Sequence, residues 1–98
     1  MEINKQSDGG KLTLTLNGRL DTMTSPDLEA VLKESLDGVT ELVLDCTDLE
    51  YISSAGLRVL LGAQKAINST GKMLIRNVNG PVMEVFEVTG FTDVFTIE

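Results

Sequence analysis

The chain contains no histidine and no tryptophan, and only one cysteine, one tyrosine and two prolines. Without histidine, neither a Ser-His-Asp nor a Cys-His nucleophile system can be assembled within it. Histidine-bearing metal sites fall for the same reason, and Cys46 alone cannot build a thiolate-rich one. No metal site and no cofactor are expected, a carboxylate-held Mg²⁺ being the one formal exception. A single cysteine also rules out an internal disulfide, and with it a secretory disulfide scaffold. No apolar run approaches the roughly 20 residues that span a bilayer. The opening Met1-Glu2-Ile3-Asn4-Lys5 lacks the apolar stretch of a signal peptide. A cytoplasmic location without membrane insertion is therefore expected. Basic residues are scarce as well: 8 Lys and Arg against 15 Asp and Glu leave a net charge of −7. Phosphate backbones are held by Lys and Arg that release counterions, so nucleic acid is not an expected partner.

What is present fits one small globular domain over residues 1–98, long enough to bury a core without staples. Lys11-Leu-Thr-Leu-Thr-Leu16 alternates with period two, a half-buried strand. Asp8-Gly9-Gly10 separates it from a weaker strand around Glu2–Ser7, an opening β-hairpin. After Asn17-Gly18 the period changes. Ser25-Pro26 reads as the N-cap and first position of a helix carrying Leu28, Val31, Leu32 and Leu36. Residues 41–46 suit a central strand buried on both faces, followed by a polar turn at Thr47-Asp48-Leu49-Glu50. Ala55–Ser69 is the strongest helix, with Gly71 as its C-terminal cap. Met73–Arg76 reads as a strand, Asn79-Gly80-Pro81 opens a third helix ending near Gly90, and Val94–Ile97 reads as an edge strand. The order β-β-α-β-α-β-α-β predicts an α/β fold. Its mixed, mainly parallel sheet has four or five strands, with about three helices and an antiparallel hairpin member at the N-terminus.

Chemistry concentrates in Asp48-Leu-Glu-Tyr-Ile-Ser53-Ser54-Ala55-Gly56-Leu57-Arg58. Two hydroxyls fall where the free N–H groups of a helix start need acceptors, so the ordinary reading makes both serines caps. Small Ala55 and Gly56 beside them leave room for a partner protein to approach. Gly56 in a first helical turn costs up to roughly 1 kcal/mol against Ala. A phosphate here would sit at the positive end of a helix. Arg58, four residues after Ser54, either reaches such a phosphate or is a solvated cation. Cys46 has no basic neighbour and lies in an apolar strand, so it reads as an inert buried thiol. Asp45 and Asp48 read as acceptors for loop N–H groups.

The same stretch resembles the signature of STAS domains, the anti-sigma factor antagonist family. A strand ending in Asp45 precedes Ser53-Ser54-Ala55-Gly56-Leu57, Gly18-Arg19-Leu20-Asp21 stands before the first helix, and Gly90-Phe91 before the last strand. The resemblance covers essentially the whole chain in the expected order. It implies a STAS-like fold and a protein that is not itself an enzyme. It implies that an unphosphorylated serine surface binds an anti-sigma factor that is also a serine kinase, freeing the sigma factor. Phosphorylation by that kinase would switch binding off, and a phosphoserine phosphatase would reset it. Counting back from Gly56-Leu57 puts the acceptor at Ser54. The preceding position, often Asp in the family, is Ser53 here, so Ser53 is the alternative acceptor. Asp21, Ser53, Ala55, Gly56 and Arg58 would form the partner surface. Many family members continue past the last strand into an amphipathic helix. Ending at Glu98 would expose apolar surface near Phe91 and Phe95, open to a homodimer or a neighbouring domain. The same features also fit a STAS adaptor module in a transporter or signalling complex, with Ser54 serving only as a cap. A serine hydrolase is set aside by the missing histidine.

Overall fold

The alternation of Leu12, Leu14 and Leu16 with Thr13 and Thr15 is realised as a strand with one buried edge of leucines. The structure, a computed structural model, describes residues 1–98. Its elements are β1 (Glu2–Asp8), β2 (Lys11–Leu20), α1 (Ser25–Ser35), β3 (Glu41–Ile52), α2 (Ser54–Ile67), β4 (Lys72–Arg76) and α3 (Gly80–Thr89). A short 3-10 helix (Phe91–Asp93) and β5 (Thr96–Ile97) follow. The five strands lie side by side in chain order, β1 antiparallel to β2 and every later pair parallel. Each parallel crossover steps the same way along the sheet, so right-handed connections lay all three helices on one face. The core forms there, from Leu14, Leu16, Leu42, Leu44 and Ile75 under Leu28, Leu60 and Phe86. Val43 and Leu74 are buried outside that cluster. They occupy a cross-strand row running Gln6, Thr13, Val43, Leu74 and Thr96 on the helix-free face.

The fold class and element order match the expectation, and several boundaries do not. Thr47–Glu50 is not a turn: β3 runs on to Ile52 because Leu49 and Ile52 belong to the core. Two bulges make this possible, each setting one extra residue of β3 against β2, between Thr15 and Asn17 and between Gly18 and Arg19. Likewise β2 does not stop at Asn17-Gly18, since Gly18 takes a φ of 109° and the strand continues to Leu20. Ser25 is not the cap of α1; Thr24 holds that position, and the buried Ser25 hydroxyl donates to the Asp21 carbonyl at 2.6 Å.

Gly71 does not close α2, which ends at Ile67 with Asn68 as its cap. Its role is a close approach: a Cβ there would stand 1.9 Å from the Thr40 carbonyl oxygen. The third helix opens as expected, Asn79 Oδ1 accepting the Val82 N–H at 2.9 Å. Phe95, expected near the surface, is buried, with Phe91 stacked on it at 5.2 Å and Phe86 edge-on at 5.8 Å. The 3-10 turn lays the Phe91 ring on that of Phe95.

Gly71→Ala forces the Thr40 backbone to move and is expected to cost about 1–3 kcal/mol or more. Gly62→Ala, whose Cβ meets nothing within 4 Å in the middle of α2, is expected to gain up to about 1 kcal/mol. Urea unfolding midpoints with an unchanged m-value check both.

Candidate functional site

The ends of β2 and β3 converge where the signature residues lie. Leu20 pairs with Ile52 in register, and the Ser53 N–H donates to the Leu20 carbonyl at 2.9 Å. That bond carries the pairing one residue beyond β3 and sets the start of α2 beside the turn that follows β2. Asp21 and the two serines are thus brought together by the sheet itself.

The serines divide their roles. Ser53 is the N-cap of α2, with extended backbone (φ −100°, ψ 176°) and its hydroxyl accepting the Gly56 N–H in a long bond of 3.5 Å. Ser54 is the first residue of the helix and is exposed. Ala55 is half-buried and Gly56 is buried. A Cβ on Gly56 would lie 2.8 Å from Leu20 Cγ and 2.9 Å from Ile52 Cγ1. Gly56, expected on the partner surface, is buried here and has a packing role: its missing side chain lets α2 close onto the ends of β2 and β3. Arg58 is exposed, forms no ion pair, and lines a shallow groove of about 370 Å³ between α1 and α2 with Lys33, Leu36 and Val59.

Asp21 is occupied by its own loop. One carboxylate oxygen accepts the N–H groups of Met23 at 3.0 Å and Thr24 at 3.1 Å. The Thr24 hydroxyl accepts the Asp21 N–H and donates to the Arg19 carbonyl at 2.7 Å. Hydrogen bonds led by the Thr24 N–H hold the Asp21 carboxyl below its ordinary pKa, against a partial desolvation, with the Met23 N–H, the Thr24 hydroxyl and the Arg19 charge adding to it.

Asp45, in β3 opposite the last residue of β4, plays the same part. It accepts from the Thr47 hydroxyl at 2.7 Å, the Thr47 N–H at 3.1 Å and the Asn77 amide at 3.1 Å. Those bonds, the Thr47 hydroxyl first, lower its pKa. Asp45 thus satisfies an N–H at a bulge within β3 rather than in a loop, and Asp48 accepts no hydrogen bond; no group of three or more acidic or thiol side chains is placed to hold a metal. The Cys46 thiol is buried, and burial pushes its pKa up to about 12, so it is not a nucleophile at neutral pH.

Sequence reasoning passed over two neighbours. The Arg19 guanidinium lies 4.3 Å from the centre of the Tyr51 ring, and Tyr51 is its register partner across β2 and β3. Met23 stands exposed in the turn that Asp21 organises. A tyrosine two residues before the serine pair was the available signal for the first. Nothing in a lone methionine signals the second.

A sequence profile described as the STAS domain matches residues 2–98. A Bordetella bronchiseptica protein, BtrV, assigned provisionally as an anti-sigma factor antagonist, is 35% identical over 99% of this chain and 85% of its own length. The anti-sigma-B factor antagonist of Staphylococcus aureus is 33% identical over 84% of this chain and 78% of its own. Among solved structures, an anti-sigma factor antagonist from Mycobacterium paratuberculosis superposes with a TM-score of 0.89 at 20% identity, covering 98% of this chain and 83% of that one. No helix is long and apolar enough to cross a membrane.

Two outcomes follow from this geometry. Ser53→Ala, which removes the cap, should cost about 0.5–1 kcal/mol, whereas Ser54→Ala should stay within about 0.5 kcal/mol; urea titration separates them. Asp21 and Asp45 have folded pKa values below the ordinary 3.8. Between the two values the unfolded chain binds more protons than the folded one. Their contribution to stability is therefore complete above the unfolded value and fades as pH falls through the folded one. Unfolding free energies measured from pH 6 downward should drop through the range below about pH 4, and Asp45→Asn should flatten that slope.

Proposed function

The chain belongs to the STAS domain family, and from that premise we propose that it is an anti-sigma factor antagonist switched by phosphorylation of Ser54. In this reading it acts in the cytoplasm and performs no catalysis of its own. Unphosphorylated, it binds an anti-sigma factor that is also a serine kinase and so releases the sigma factor. The kinase transfers phosphate to Ser54 and binding ends; a phosphoserine phosphatase restores the free hydroxyl. The two curated relatives carrying the antagonist name support the general role, since each is matched over most of its length.

The division between the serines is the observation that carries the switch. Ser53 is half-buried and its hydroxyl accepts the Gly56 N–H, so modifying it would cost a helix cap. Ser54 is exposed and its hydroxyl makes no hydrogen bond, so it can be modified with the fold undisturbed. A phosphate there adds about −1.5 to −2 charge at neutral pH, at a helix end whose dipole accepts an anion. The chain already carries −7. The modification thus changes the surface offered to a partner far more than it changes stability.

Incubation with the purified serine-kinase anti-sigma factor of the same genome and ATP, followed by mass spectrometry of the peptide spanning residues 51–58, tests this. One phosphate on Ser54, lost in Ser54→Ala and retained in Ser53→Ala, is expected. Peptide left unmodified at both serines would sink the switch and leave the adaptor role.

A further inference from the structure

Met23 is 84% exposed, the highest value among the large apolar side chains, and it does not hang on a loose loop. Its own N–H and that of Thr24 are held by the Asp21 carboxylate, and the Thr24 hydroxyl ties the turn back to the Arg19 carbonyl. Tyr51 is 40% exposed and covered on one side by the Arg19 guanidinium. Arg19 approaches Asp21 only at 3.9 Å and remains 60% exposed, so most of its donors face outward. The Ser53–Leu20 hydrogen bond ties the start of α2, where Ser54 lies, to the strand end from which this turn leaves.

Exposed methionine, tyrosine and arginine on a pre-ordered scaffold are the residue types that carry binding energy in protein interfaces. Ordering them in advance removes part of the entropy cost of association. No packing need explains Met23, because its side chain contributes almost nothing to the core.

We infer that Met23 and the Arg19–Tyr51 pair form the affinity-determining half of the partner surface, and that Asp21 is a positioning residue that presents Met23. This rests on the function proposed above and names the part of the kinase that fits: an apolar socket for Met23 flanked by a carboxylate facing Arg19. Ser54 then acts as the switch of an interface whose grip lies on other elements.

Calorimetric titration of the whole chain into the purified serine-kinase anti-sigma factor of the same genome tests the assignment. Met23→Ala and Tyr51→Ala should each weaken binding about tenfold or more. Val88→Ala, an 80% exposed valine on α3, should change it by less than about twofold. Asp21→Asn keeps an oxygen to accept the two N–H groups and should stay within about threefold of wild type, whereas Asp21→Ala should behave like Met23→Ala. In the kinase reaction Met23→Ala should raise KM and spare kcat. A wild type that binds while Met23→Ala and Tyr51→Ala bind equally well overturns this inference alone. Asp21→Asn as damaging as Asp21→Ala overturns the positioning role, making the carboxylate a direct contact. A wild type that fails to bind overturns the proposed function and this inference with it.

Discussion

Gly56 presses its bare Cα against Leu20 and Ile52, and immediately beside it the Ser53 N–H bonds to the Leu20 carbonyl. These two contacts fix the first turn of α2 to the converging ends of β2 and β3. The direction in which Ser54 points, the depth at which Ser53 caps and the nearness of the Asp21 turn all follow from them. A side chain at position 56 would push the helix outward by the width of a methyl group and separate these residues. The glycine therefore serves the site indirectly, through the seating of the helix, and its cost in helix propensity is offset by burial of Leu20, Ile52 and Leu57.

The bulges in β3 have a related consequence. Each extra residue rotates the side-chain alternation, which lets Leu49 and Ile52 both reach the core while Thr47, Asp48, Glu50 and Tyr51 face solvent. A regular strand could not carry that burial pattern. The irregularity also brings Tyr51 opposite Arg19, which gives the exposed end of the sheet its one ring and its stacked cation.

Much of this was legible in the residues. The leucine and threonine alternation of β2, the Asn79-Gly80-Pro81 start of α3 and the apolar face of α2 each state their local structure through periodicity or capping chemistry. The misreadings share a cause. Asn17-Gly18 and Thr47-Asp48-Leu49-Glu50 carry turn-forming residues, yet both lie in strands, because pairing between β2 and β3 and burial of Leu49 outweigh local preference. Gly71 looks like a helix cap in one dimension and is a contact with Thr40 in three. At the site, Ser53, Ser54 and Asp21 announce themselves through the signature. The division of labour between the serines depends on which hydroxyl faces the helix N–H groups, and the prominence of Met23 depends on a turn held by side-chain bonds. Neither is written in residue order.

The strands lie in the sheet in the order in which they occur in the chain. Each βα unit therefore docks on the strand made just before it, and no strand must wait for a later one to be inserted between neighbours. Each parallel pairing still closes a whole crossover, Lys11 onto Glu41, Glu41 onto Lys72 and Leu74 onto Thr96, and such non-local pairing forms more slowly than the opening hairpin. During synthesis the hairpin, then each successive unit, can settle on an edge that is already complete. A sheet ordered this way never has to open to admit a later strand, so it grows from the hairpin in one direction only.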